Sequence, residues 1–264
     1  MSADPAALES LAVTGRTRTA TRDRFFLGMT LAMAAVVLAG FTPTLFGRAF
    51  FNVPKMPTYL YLHGATITAW FLLMVAQATL AGRNNLALHR RLGWAALAFL
   101  VLVPVAGMGT QLALPGRMRE LGALESMTGL IQTVFWLNTF ATLQFLGFVG
   151  AALYLRNRGA SHKRLILLAG AALIGPAAAR LSRWPVFGNT APDMSQPAST
   201  GGDVVFALGV MVLLVGAIIV NDLRTLRRVH RVTVIGAVVL FGAALLVPVI
   251  ANSAWGKGIV WAVS

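Results

Sequence analysis

Residues 81–94 read AGRNNLALHRRLGW, and the residues from Ala95 to Gly116 that follow carry no charge. The same arrangement returns at 155–168, LRNRGASHKRLILL, and at 223–236, LRTLRRVHRVTVIG. Each time a basic, polar segment ends in a histidine followed at once by a cation, and an apolar run begins. The three histidines, His89, His162 and His230, recur about 70 residues apart, close to the length of two membrane-crossing helices of about 20 residues each with their connections. The repeat predicts one leading helix followed by three helical hairpins. It also predicts that the three histidines lie level with one another near one face of a bilayer.

Composition agrees with that solvent. The chain has 264 residues, 57% of them hydrophobic and only 11% charged, with a mean hydropathy of +0.74. A soluble domain carries roughly 25% charged residues, so this chain has too little polar surface to be solvated by water on all sides. The net charge is +14. In a soluble protein that would point to nucleic acid. Here the cations sit in short loops between apolar runs, where they act as topology and lipid signals, and nucleic acid is not an expected partner. The chain has no cysteine, which excludes disulfides, thiolate metal sites, iron–sulfur clusters and thiol catalysis.

Seven stretches are long enough to span: 25–46, 58–81, 92–113, 129–155, 165–183, 204–221 and 232–252. Backbone groups in hydrocarbon must pair within their own segment, so each is read as a helix, giving an all-α, seven-transmembrane helix bundle over 23–264. Residues 1–22 read as a disordered cytoplasmic tail. The run at 25–46 is too long for the apolar part of a signal peptide, about 7–15 residues. On the side of the histidine motifs lie fifteen cations, Arg16 to Arg24, Arg83 to Arg91, Arg156 to Arg164 and Arg224 to Arg231. The other side holds seven: Arg48, Lys55, Arg117, Arg119, Arg180, Arg183 and Lys257. That bias predicts a cytoplasmic N-terminus and an outside C-terminus.

Pro43, Pro104, Pro176 and Pro248 each fall toward the outer half of an outward-running helix. Proline kinks helices, so these four either sit harmlessly near helix ends or splay the bundle and open a pocket there. The loop from Trp184 to Gly202 is a connector or a lid over such a pocket.

Three readings fit the histidine repeat. Basic residues and histidine together anchor each hairpin at the headgroups. Alternatively the positive helix starts, with Arg90, Arg91, Lys163 and Arg164, hold anionic phospholipid. Or neutral imidazoles ligate a metal: His89 and His162 as the axial pair of a haem iron, His230 as substitute, with the cations receiving propionates. On the outer side, His63, Trp70 and Gln77 share one face of the second helix, and Arg180 falls near the same interface. They form a candidate pocket for a small anionic or quinone-like ligand; the other reading of Arg180 is a side chain snorkelling outward. Gln132, Asn138, Thr139, Thr142 and Gln144 read as interhelical packing contacts. No mid-span carboxylate, phosphate loop or catalytic triad pattern is present.

The run LHGATITAWFLLMVAQATL, then HRRLGW, then SHKRLILLAGAALIGPAAARL, then NDLRTLRRVHRVTVIG resembles an uncharacterised family of multi-pass bacterial inner-membrane proteins with HRRLG and HKRL motifs. The resemblance spans most of 58–240 and implies location and build, not an activity. A looser similarity joins the hairpin histidines to b-type cytochromes and haem A synthases, although one outer and three inner histidines depart from their matched pairs. The resulting expectation is a haem-b-binding redox or haem-handling protein. The alternative is an accessory, anionic-lipid-binding subunit of a membrane complex. A small-molecule transporter fits less well, because the hairpins run parallel instead of forming inverted halves.

Overall fold

The computed structural model describes residues 24–51, 53, 55–122, 124–184 and 201–262; the tail read at 1–22 and most of the Trp184–Gly202 loop lie outside them. The described chain is helical, 87% by residue, without a strand. The helices are α1 (Arg24–Phe46), α2 (Thr58–Gly82), α3 (Leu86–Gly93), α4 (Ala95–Glu120), α5 (Thr128–Tyr154), α6 (Gly159–Leu173), α7 (Gly175–Leu181), α8 (Gly201–Leu226), α9 (Arg231–Asn252) and α10 (Ala254–Ala262). Six spans are long and apolar enough to cross a membrane, with α3 and α4 counting together as Leu86–Glu120. The pair α6 and α7, bent by 54°, brings the number to seven if it is one broken span. The short α10 was not expected from the sequence.

Local sequence explains the breaks. Asn84 turns the chain after α2 in the left-handed region (φ 57°), which asparagine tolerates better than most residues. Asn85 then caps α3, its side chain accepting from the Leu88 N–H at 3.2 Å. Pro43 sits in a π-helical turn, Thr42–Phe46, that ends α1. Gly175 and Pro176 start α7 at the bend, where proline has no N–H to continue the ladder from α6. Pro104 and Pro248 lie inside α4 and α9 without ending them.

The core joins Met33 and Val37 of α1, Trp70 and Phe71 of α2, Phe145 of α5, Leu167 and Leu168 of α6, and Ile218 of α8. Trp70 packs edge-on against Phe145, ring centres 4.8 Å apart. A second cluster joins Trp136 of α5, Val247 of α9 and Val260 of α10. Glycine permits the closest approaches. A Cβ on Gly40 would collide with the backbone oxygen of Ala177, so α1 lies directly on α7. The outside of the bundle remains apolar: Leu213, Val238, Leu245 and Val249 are exposed. Large aliphatic side chains on the surface of so many helices fit a hydrocarbon solvent. The protein is built as a multi-pass membrane protein.

Candidate functional site

The ends of the helices carry different chemistry. At one end, the ring centres of His89 (α3) and His162 (α6) stand 6.4 Å apart with their planes 80° to each other. His89 Nδ1 lies 3.2 Å from the Gln77 carbonyl, and His162 Nδ1 lies 2.9 Å from the Ala152 carbonyl. A carbonyl only accepts, so each Nδ1 carries the proton that it donates and each neutral ring has a bare Nε2. The rings are half-buried.

His230 is held differently. It is the N-cap of α9, and its Nδ1 accepts from the Val232 N–H at 3.2 Å. That bond places the neutral ring's proton on Nε2, the opposite tautomer to the other two. The His230 N–H donates to Asp222 at 3.0 Å. Asp222 also accepts from the Thr233 hydroxyl at 2.7 Å and pairs with the Arg164 guanidinium. Arg164 and Asp222 are both fully buried, and a further Arg164 nitrogen donates to the Ala160 carbonyl at 2.7 Å. The structure therefore joins His89 to His162 directly, and ties the second motif to the third through Asp222. Arg90 and Arg91 are exposed, and Lys163 lies over the Phe26 ring at 5.4 Å.

At the other end, α1, α2, α4, α5, the α6–α7 bend, α8 and α9 line a partly open cavity of about 460 Å³. His63 and Arg180 line it together. Trp70 and Gln77 do not. The four share no single site, because residues on one helix face are still separated along the axis: Gln77 lies roughly 21 Å beyond His63 at 1.5 Å per residue. Trp70 is a core residue, and Gln77 belongs to the histidine end, where its carbonyl meets His89.

Three polar groups in the cavity wall hold buried atoms without a hydrogen-bond partner: His63 Nδ1, Gln111 Nε2 and Arg180 Nε. Sequence reasoning did not single out Gln111; an amide in the middle of the apolar α4 was the signal for it. Its Oε1 takes the Thr139 hydroxyl at 2.9 Å. That hydroxyl also faces the Phe135 carbonyl and has one hydrogen to give, so the amide can sit either way round. Either orientation leaves one buried polar atom unmatched. Arg180 donates from one terminal nitrogen to the Pro176 carbonyl at 2.9 Å and stands 4.7 Å over the Phe41 ring. Buried polar atoms are nearly always satisfied, so three orphans around one cavity call for hydrogen-bond partners there, water or a bound molecule.

Among the described residues no group of three or more histidines or carboxylates is placed to hold a metal ion. No protein-family model, curated protein or solved structure matches the chain.

Proposed function

We propose that this membrane protein binds a lipophilic small molecule in the cavity between its helices, with the polar head of the molecule at His63, Gln111 and Arg180. The observation that carries the reading is the set of three unmatched polar atoms around one apolar chamber. Its volume falls within the range of ligand pockets, about 300–1,000 Å³. The test is native mass spectrometry of protein released gently from detergent. A retained small molecule is expected. Gly107 lines the cavity, and a Cβ there would meet only the Thr142 hydroxyl at 3.6 Å. Gly107→Ala should therefore keep the molecule and Gly107→Leu should displace it. A bare protein mass for the native chain, or retention unaffected by leucine, sinks the reading.

A second reading is favoured by the His89–His162 pair. The 6.4 Å between ring centres would leave room for one metal ion between the two imidazoles at bonds of about 2.0 Å. Tying each Nδ1 to a carbonyl is how proteins orient imidazole ligands. We therefore propose haem b as the group this pair would hold, supplying one-electron chemistry when bound. Exposed Arg90 and Arg91 with Lys163 are the side chains for propionates, since Arg164 is engaged by Asp222. Reduced-minus-oxidised visible spectra test this. Haem bands lost in both His89→Ala and His162→Ala support it; no bands from cells supplied with haem defeat it. Without haem, the exposed arginine pair suits an anionic phospholipid headgroup.

The proposed orientation puts the histidine end at the cytoplasmic face of the bacterial inner membrane and the cavity toward the outside. The positive-inside bias of the loops supports it.

A further inference from the structure

We propose that the molecule in the cavity carries an anionic head, a carboxylate or phosphate on a single lipophilic chain, and that Arg180 is its counter-charge. This rests on the reading that the cavity is a binding site, and goes further by naming the chemical class.

The first argument is the charge of the wall. Arg117, Arg180 and Arg183 all line the cavity, and among the described residues no aspartate or glutamate does. Two of the three cations have carboxylates just behind them. Arg117 lies 3.3 Å from Glu120, and its other terminal nitrogen donates to the Lys55 carbonyl at 2.6 Å. Arg183 meets Asp203 at 3.1 Å, and the other oxygen of Asp203 accepts from the Ser182 hydroxyl at 2.6 Å. Arg180 differs. Among the described residues no carboxylate stands within ion-pair distance of it: Asp203, whose charge reaches it, is engaged by Arg183 and Ser182, and its direct contacts are one backbone carbonyl and the face of Phe41.

The second argument is what an isolated guanidinium costs in such a place. A guanidinium largely withdrawn from water with no carboxylate in contact is disfavoured, and the group cannot escape by losing its proton. Its Nε faces no acceptor at all. The simplest arrangement that satisfies a planar fork of N–H donors is an oxyanion with two oxygens. A neutral ketone or alcohol would offer one acceptor and no charge.

The third argument is the rest of the wall. Gln111 is 2% exposed and holds an unmatched polar atom, and His63 Nδ1 is unmatched as well. Gln111 can donate to the head, while His63, whose ring already bonds the Ala106 carbonyl, offers Nδ1 as an acceptor to a water beside it. Most of the remaining lining is apolar, with Val37, Ile67, Val103, Leu240 and Val247 among it, which suits a hydrocarbon tail. The α6–α7 bend is what brings Arg180 to this wall, because it sits one turn after Pro176, whose carbonyl steadies it.

The experiment compares three probes of one chain length on the native protein in detergent: a fatty carboxylate, an alkyl phosphate and the fatty alcohol. Binding is read by equilibrium dialysis of radiolabelled probe. The expected result is that at least one anion binds ten-fold or more tightly than the alcohol, and the preferred anion identifies the head. Arg180→Gln should bring anion and alcohol to the same affinity, and Arg180→Lys should keep a reduced preference. Equal binding of all three by the native protein overturns the anionic head but leaves the cavity occupied. Binding of none overturns both readings. An anion preference that survives in folded Arg180→Gln removes Arg180 from the role. The native comparison needs no variant, so it decides the head's charge even if Arg180→Gln fails to fold.

Discussion

Arg164 of α6 and Asp222 of α8 form an ion pair with no exposed surface on either side chain, at the point where the second and third histidine motifs meet. Asp222 also gathers the Thr233 hydroxyl and the His230 N–H, so one carboxylate holds the start of α9 against two other helices.

Removing one partner leaves the other charge buried and unmatched. Arg164→Met or Asp222→Leu should each lower stability by about 3–5 kcal/mol. The double replacement should lose less than the sum of the two, because apolar side chains can fill the same volume. Thermal unfolding in detergent for the four members of the cycle checks this; strict additivity would refute the coupling.

Gly40 and Gly28 lie on the same helix with opposite surroundings. A Cβ on Gly28 meets nothing within 4 Å, whereas one on Gly40 strikes the Ala177 backbone. Gly40→Ala should cost about 1–3 kcal/mol through overpacking. Gly28→Ala should be neutral or slightly stabilising, since alanine is the better helix former. The same melting assay compares them, and equal effects would contradict the helix contact.

Trp255 of α10 stacks on Trp136 of α5, ring centres 5.4 Å apart and planes 27° from parallel, while the Trp136 Nε1–H donates to the Gly256 carbonyl at 3.3 Å. Trp255→Ala should free α10, with loss of about 0.5–1.5 kcal/mol from the stack. Hydrogen exchange at residues 254–262 should accelerate while α5 stays protected. Unchanged exchange would show that α10 is held by other contacts.

The chain has no cysteine, so any introduced cysteine is its only thiol. Asn157 and Lys55 are exposed in connections at opposite ends. With the histidine end inside, a membrane-impermeant maleimide should label Lys55→Cys in intact cells and Asn157→Cys only after the cells are opened. The reverse pattern would invert the proposed orientation.

The helices were legible because the requirement they answer is local: uncharged runs of about 20 residues between basic loops need no knowledge of their neighbours. The spans at 58–81 and 232–252 appear within a residue or so as α2 and α9. The bend inside 165–183 was less legible, because a proline in a helix permits both a smooth turn and a break. Sites were harder still. His63 and Arg180 do meet one cavity, but the shared face of His63, Trp70 and Gln77 gives direction around the helix and ignores distance along it. Asp222 is paired with Arg164, 58 residues earlier. Such a pairing depends on how three helices pack, and no spacing rule encodes that.

The seat of α1 on Ala177 bears on biogenesis. Helix α1 finds its backbone neighbour only after more than a hundred further residues have been made, on the order of ten seconds at ordinary synthesis speeds. Until then its glycine-bearing face is turned to lipid or to whatever insertion factor shelters it. The pocket wall is consequently completed long after its first helix is made.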